Sequence, residues 1–336
     1  MRAEDIRHVA AIGAGRMGRG IAHVFAYAGY RVTLADVKPR ADDEHKELLA
    51  AARAEIAGNL KALAEFGAFD GSLIPDMLAR IHFTSRLEEL SDADLIFEGV
   101  TETMEAKEQA FRALSEVVGE GAIIASTTST LPVDKLAAFV AHPARFLNAH
   151  WLNPAYLIPL VEVSPGAATD PEVLQAVRGI LERIGKVPVV CAATPGYIIP
   201  RIQSVAMNEA ARMVEEGVAS AEDIDKAIRA GFGPRYTTMG LLEFVDVGGG
   251  DILYHASRYL AENLGSDRYA SPQIVDDNMA QGRNGLRDGQ GFYDFNAMDV
   301  PAYQRGQLQR FVALFRHLDL LPPPGRIDET GGEPKI

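Results

Sequence analysis

The sequence predicts a doubly wound α/β domain followed by an all-α domain. Three observations carry this reading. A glycine turn lies between a strand and a helix near the N-terminus, strand-like and helix-like segments alternate up to about residue 194, and strand signals vanish beyond about Arg201. The chain's 336 residues can bury two full-sized cores, and 47% apolar with 24% charged residues is an ordinary globular composition.

The segments follow in order. "HVAAIGAGRMGRGIAHVFAYAGYRVTLAD" reads as strand, glycine turn, helix and strand. A long helical pattern rich in Ala, Leu, Glu and Lys runs from about Pro39 to Phe66, and the glycines and proline of "FGAFDGSLIP" break it. "ARIHFT" is a short strand. "DADLIFEGV" is a continuous apolar run, as buried parallel strands are. "MEAKEQAFRALSEVV" has helical periodicity and "GAIIAST" is another buried strand. "ARFLNAHW", "IPLVEVSP" and "KVPVVCA" add three strands, with the helix "DPEVLQAVRGILERIG" between the last two. Such alternation implies a mostly parallel sheet with helices on both faces.

After "ATPGYIIP" only helical signals remain, in "IQSVAMNEAARMVEEG", "SAEDIDKAIRAG", "GGGDILYHASRYLAENLG", "SPQIVDDNMAQG" and "PAYQRGQLQRFVALFRHL". The expected division is a strand-containing domain over 1–194, a helical domain over 195–320 and a flexible tail over 321–336, with the boundary near Thr194–Pro200.

Composition narrows the partners. Forty-six acidic against 33 basic residues leave a net charge of −13, so neither nucleic acid nor an anionic membrane surface is an expected partner. The N-terminus lacks a secretory apolar region and no apolar run reaches membrane-spanning length, so a cytoplasmic protein is expected. The single cysteine, Cys191, excludes an intrachain disulfide and is expected to be buried at a strand end. The histidines show no metal-ligand spacing, so no metal is expected.

Gly13, Gly15 and Gly18 form G-A-G-R-M-G, with Met17 inside the turn, and Asp36 closes the next strand. In that context the pattern is a Rossmann fingerprint for NAD. Gly13 makes the tight turn, Gly15 lets the backbone approach a pyrophosphate, and Gly18 lets the helix pack on the strand. The phosphates belong at the helix N-terminus. Asp36 is expected to take the ribose hydroxyls and repel the 2′-phosphate of NADP, although Lys38 and Arg40 stand close enough to temper that exclusion.

"AHWLNPAYLIPLVEV" (149–163) places His150 and Glu162 in an otherwise apolar run, where unpaired polar groups are costly. A turn near Pro154–Tyr156 would bring them side by side. A carboxylate then orients the imidazole, fixes its tautomer and raises its basicity. Such a base removes the hydroxyl proton of an alcohol whose hydride goes to NAD. A satisfied core histidine is the alternative. Trp151 is either pocket wall or core.

"STTSTL", "HWLNP", "PLVEV", "PGYI" and "GQGFYDF" together resemble the L-3-hydroxyacyl-CoA dehydrogenase superfamily over nearly the whole chain. The resemblance implies that His150 is the catalytic base, Glu162 its orienting partner and Ser129 the serine that hydrogen-bonds the substrate oxygen. It further implies that Glu102, Lys107 and Asn153 surround the nicotinamide half of NAD, and that the chain is a homodimer through its helical domain. The alternative for Glu102 and Lys107 is a solvated helix start.

Two departures bear on the substrate. Pro200 stands where the family has a substrate-orienting asparagine, a role open to Gln203, Thr237 or Thr238, or unfilled. The helical excursion carries only Lys61 in "EIAGNLKALAEFGAFDGSL", where acyl-CoA enzymes place lysines near the CoA phosphates. "PAYLIPLVEV" and "GFGPRYTTMG" are similar instead to the λ-crystallin, L-gulonate and L-carnitine dehydrogenase branch. There Arg235 could grip a free carboxylate, or else pair with Glu243. "VGGGD" (247–251) is expected to be a turn between helices.

The expected activity is NAD-dependent oxidation of a secondary alcohol to a ketone. The substrate is a 3-hydroxyacyl-CoA or related 3-hydroxy acid, placed between the domains. The alternatives are a small free hydroxy acid or ring alcohol and, from another class, a non-catalytic NAD-binding protein like the crystallin relatives.

Overall fold

The computed structural model describes residues 2–321, and residues 322–336 of the expected tail lie outside the described residues. The first half is built on an eight-stranded sheet. Strand β1 (His8–Ile12), helix α1 (Arg16–Tyr27) and strand β2 (Arg31–Ala35) are followed by the long helix α2 (Asp42–Glu65), the short α3 (Ile74–Ala79) and β3 (Ile81–Thr84). Then come β4 (Leu95–Glu98), α4 (Met104–Val117), β5 (Ile123–Ser126), α5 (Val133–Ala137), β6 (Phe146–Trp151), β7 (Leu160–Pro165), α6 (Pro171–Arg183) and β8 (Val187–Val190). The strand order is β3-β2-β1-β4-β5-β6-β7-β8. Every pairing is parallel except β6 with β7. The order reverses between β1 and β4, which is where open α/β sheets bind ligands.

Side chains of a strand alternate between faces, and the core divides accordingly. Val9, Ala11, Leu95, Phe97, Ile123 and Ala125 pack with α1, α2 and α6, whereas Ala10, Ile12, Ile96 and Ile124 pack with α4 and α5. Trp151 is core. It is 1% exposed and meets Phe97 at 5.6 Å and Phe25 at 6.2 Å. Local sequence starts the helices. The Thr103 hydroxyl caps α4, and Asp170 caps α6 just before its first-turn proline, Pro171. Helix α2 begins at Asp42, three residues inside the expected start.

His23 on α1 is buried and stacked on Tyr156 at 4.8 Å. Burial, helped by the charge of Lys186, depresses its pKa from 6.5 to about 4. Between those values the unfolded chain holds a proton that the folded one refuses. Stability is therefore complete above pH 6.5 and falls as pH drops toward about 4, by about 1.4 kcal/mol for each unit of separation. His23→Gln should flatten that slope in urea unfolding curves recorded across this range. An unchanged slope would exclude His23 as its source.

Helix α7 (Ile199–Glu215) leaves this layer, followed by α8 (Ala221–Ala227), α9 (Gly233–Thr238), α10 (Leu241–Gly248), α11 (Gly250–Asn263), α12 (Gln273–Ala280) and α13 (Val300–His317). Residues up to Ala206 form one compact unit and those from Met207 another. The division thus falls inside α7, later than the Thr194–Pro200 loop. The reason is local: the amides of Ile198 and Ile199, at the head of α7, donate to Glu162 of β7.

In the second unit the buried Asp246 carboxylate accepts the amides of Phe292 (3.0 Å) and Tyr293 (2.8 Å). A Cβ on Gly291 would collide with that carboxylate, so "GQGFYDF" is a packing motif. "VGGGD" is the joint between α10 and α11, with Gly249 at φ +107°. Arg235 does not pair with Glu243. Its guanidinium lies 5.3 Å from the Phe244 ring centroid, and Glu243 instead accepts from Tyr303 (2.6 Å), Gln307 (3.1 Å) and the Gly240 amide (3.0 Å). Glu243 gains more from three donors that are already placed than from one mobile arginine.

Candidate active site

The antiparallel register sets His150 of β6 directly opposite Glu162 of β7. Imidazole Nδ1 donates to Glu162 Oε2 at 2.7 Å. Glu162 is wholly buried, and its other oxygen, Oε1, accepts the amides of Ile198 (2.9 Å) and Ile199 (2.8 Å). These contacts answer the cost of burying a carboxylate. An ionised carboxylate only accepts, so the imidazole proton belongs on Nδ1 and Nε2 is left with its lone pair. That is the state of a base ready to take a proton.

Tyr197 stacks on His150 with centroids 5.8 Å apart and planes 28° from parallel. It stands at φ +40°, directly after Gly196 at φ +75°. A non-glycine residue in the left-handed region is uncommon and persists where its surroundings demand it. Burial first, then the negative charges around it, raises the Tyr197 phenol above its ordinary pKa. Cys191 is half-buried rather than buried. Burial and the Glu162 charge raise its thiol, which disfavours the reactive thiolate.

Ser129 follows β5 and is held from two sides. Its amide donates to Glu102 Oε1 at 2.9 Å, and the neighbouring Thr128 hydroxyl donates to the same oxygen. The Thr128 carbonyl accepts from Asn148 of β6 at 3.2 Å. Glu102 Oε2 lies 3.2 Å from Lys107 Nζ. Burial alone would raise the Glu102 carboxyl. The Thr128 hydroxyl and the Lys107 charge outweigh it, and the carboxyl stands below its ordinary pKa.

Lys107 is not part of a solvated helix start. Its side chain is 1% exposed, and Nζ donates to both oxygens of Glu98 at 2.9 Å. Glu98, wholly buried at the end of β4, also accepts the Val100 amide and the Ser126 hydroxyl, each at 2.8 Å. Sequence reasoning missed Glu98, although an acid inside the apolar run "DLIFEGV" is the same signal that singles out Glu162. Asn153 is exposed in the loop between β6 and β7. That loop is pinned by Lys186, whose Nζ donates to the carbonyls of Ala155 (2.6 Å) and Ile158 (2.9 Å).

Pro200 lies in the first turn of α7 and Gln203 is exposed on the same helix. The hydroxyls of Thr237 and Thr238 donate to the carbonyls of Gly233 and Arg235, so both are spent within α9. Neither threonine, as placed, replaces the missing amide. Among the described residues, no three His, Cys, Asp or Glu side chains are placed to hold a metal ion, and no helix is long and apolar enough to cross a membrane.

The glycine turn fits a dinucleotide. Gly13 has φ +89°, and a Cβ there would collide with the Gly99 carbonyl. A Cβ on Gly18 would collide with the Gly13 carbonyl, whereas one on Gly15 would meet nothing within 4 Å. Gly15 thus opens onto space at the N-terminus of α1, beside Arg16 and Met17, and the first turn there carries no acidic side chain. Free amides in such a place suit a pyrophosphate. At the end of β2, Asp36 is 5% exposed and accepts from Arg40 Nε at 2.8 Å. Gly18→Ala should cost about 1–3 kcal/mol of stability and weaken NADH binding, as read by denaturant unfolding and NADH fluorescence. Unchanged values in both would remove the packing role of Gly18.

Comparison with known proteins agrees with this geometry. Residues 8–194 match the NAD binding domain of 3-hydroxyacyl-CoA dehydrogenase, and residues 196–295 match its C-terminal domain. The chain belongs to the 3-hydroxyacyl-CoA dehydrogenase family. A probable 3-hydroxybutyryl-CoA dehydrogenase of Deinococcus radiodurans is 35% identical over 84% of the chain and 98% of that relative. A 5-formyl-3-hydroxy-2-methylpyridine 4-carboxylate 5-dehydrogenase of Mesorhizobium japonicum is 30% identical over 94% of the chain and 99% of that relative. The crystal structure of a 3-hydroxyacyl-CoA dehydrogenase from Archaeoglobus fulgidus superposes with a TM-score of 0.76 at 32% identity, covering 94% of this chain and all of the other. This member of the family is an NAD-dependent oxidoreductase of CH–OH groups.

Proposed function

We propose that this dehydrogenase oxidises the 3-hydroxyl of a 3-hydroxyacyl-CoA or related 3-hydroxy acid, with His150 as general base. The observation that carries the assignment is the buried His150–Glu162 pair, which orients the ring and, in its neutral form, leaves Nε2 as the acceptor. NAD, when bound at the glycine turn, supplies the acceptor for the hydride leaving the carbinol carbon. The hydroxyl proton passes to His150 Nε2, and Glu162 stabilises the imidazolium that forms. The Ser129 hydroxyl hydrogen-bonds the substrate oxygen, and Glu102 fixes Ser129 through its amide. Lys107 acts by holding Glu102 in place, since its own nitrogen is enclosed by carboxylates. Asn153, exposed beside His150 in the pinned loop, is free to hydrogen-bond the nicotinamide half of the coenzyme.

A second reading, a small free hydroxy acid or ring alcohol, has its own support. On α2, Lys46 pairs with Asp43, Lys61 lies 3.8 Å from Glu65, and Arg53 covers Phe83, which leaves no cluster of unengaged cations there for CoA phosphates. Arg235 is exposed and, among the described residues, has no acidic partner. Formation of NADH from NAD, measured with 3-hydroxybutyryl-CoA and with free 3-hydroxy acids including carnitine and gulonate, decides between the two. A higher kcat/KM for the CoA ester supports the first reading. Turnover of a free acid alone, with KM raised by Arg235→Ala, replaces it with the second.

Exposed apolar side chains on the second unit, among them Ile252, Tyr259, Leu264, Ile274 and Leu308, support a homodimer. Sedimentation equilibrium tests it, and a monomer at micromolar concentration would exclude it. A cytoplasmic location fits the single cysteine.

A further inference from the structure

The acid that selects the coenzyme is not alone. Arg40 Nε donates to Asp36 Oδ2 at 2.8 Å, and His45 Nδ1 of α2 lies 3.3 Å from the same oxygen. The geometry to Asp36 does not make that imidazole contact a hydrogen bond, and His45 Nδ1 has no other partner among the described residues. Arg40 keeps part of its side chain in solvent, and Lys38 beside it is exposed. Two nitrogen groups therefore converge on one anion position at the end of β2, and at present a carboxylate occupies it.

A ribose 2′-phosphate would enter the same place, because the hydroxyl that carries it is the one an acid at this position accepts. The carboxylate repels that phosphate by charge, and Arg40 cancels much of the repulsion at short range. Guanidinium binds phosphate as readily as carboxylate, in the same forked geometry. We propose that Arg40 and His45 form a latent 2′-phosphate site, that Asp36 alone keeps it closed, and that coenzyme choice here is a contest between one acid and its own ion-pair partner. The proposal rests on the assignment of the glycine turn as the dinucleotide site.

Fluorescence titration with NADH and NADPH tests it without turnover, using the unaltered protein, Asp36→Ala, Arg40→Ala and the double variant. Asp36→Ala should shift the ratio of dissociation constants toward NADPH by about tenfold or more, the scale of one charge-assisted hydrogen bond. Most of that gain should disappear in Asp36→Ala/Arg40→Ala. Arg40→Ala alone, which leaves the buried acid in place, should shift the ratio the other way, against NADPH. If Asp36→Ala weakens NADH without strengthening NADPH, or if the gain survives loss of Arg40, the latent site does not exist. If the unaltered protein binds neither dinucleotide, the underlying assignment fails and takes the proposal with it.

Discussion

Replacing His150 with alanine is expected to lower kcat for NADH formation by a factor of about 10²–10⁴, the usual worth of a positioned general base. NADH should still bind, because the glycine turn and Asp36 make no contact with the imidazole among the hydrogen bonds of the site. Glu162→Gln separates orientation from charge. The amide has one acceptor oxygen where the carboxylate has two, yet donors face it on both sides: the His150 Nδ1–H on one and the amides of Ile198 and Ile199 on the other. With its oxygen turned to the two amides, the glutamine aims its NH₂ at Nδ1, and the imidazole accepts it only by carrying its proton on Nε2, the wrong tautomer for a base. Its kcat should therefore fall well below that of the unaltered enzyme, with a smaller change in KM. Steady-state kinetics with a fluorescence titration of NADH reads both effects. Full turnover by His150→Ala would dismiss the mechanism.

The largest effect on stability is expected at Lys107. Lys107→Met removes the cation held between Glu98 and Glu102 and leaves a wholly buried carboxylate at the end of β4. Breaking a buried pair by deleting one partner costs about 3–5 kcal/mol. Part of the loss should return in Glu98→Gln/Lys107→Met, which removes the buried charge and keeps an acceptor for the Val100 amide or the Ser126 hydroxyl. Urea unfolding of the two variants checks this. If the single variant loses less than about 1 kcal/mol, the pair contributes no more than a surface ion pair.

Much of this was readable beforehand, for identifiable reasons. Strands buried on both faces leave apolar runs, and the glycine turn has backbone demands that only glycine meets, so the first unit and its dinucleotide site are written in the order of residue types. His150 and Glu162 stood out because polar groups in an apolar run need a reason. The same test applied to "DLIFEGV" would have found Glu98. The resemblance places Lys107 near the nicotinamide half of NAD, and its position just inside a helix start leaves a solvated lysine as the alternative. Only the fold reveals that two acids from β4 and its loop close over it. Ile198 and Ile199 act through backbone N–H groups, which carry no signature in side-chain chemistry. Of the two readings open for Arg235, a substrate carboxylate or Glu243, the second fails because Tyr303, Gln307 and the Gly240 amide already donate to that acid.

The buried carboxylate on β7 has one consequence beyond catalysis. Glu162 shares its electron density between an imidazole on one oxygen and the head of α7 on the other. Each amide drawn toward Oε1 makes the carboxylate a poorer acceptor at Oε2, and each amide withdrawn makes it a better one. The orientation of the His150 ring is thus tied to the head of α7, the helix along which the chain passes into its second unit. A fraction of an ångström at the start of that helix is passed through one carboxylate to the ring, as a tuning peg passes its turn to a string.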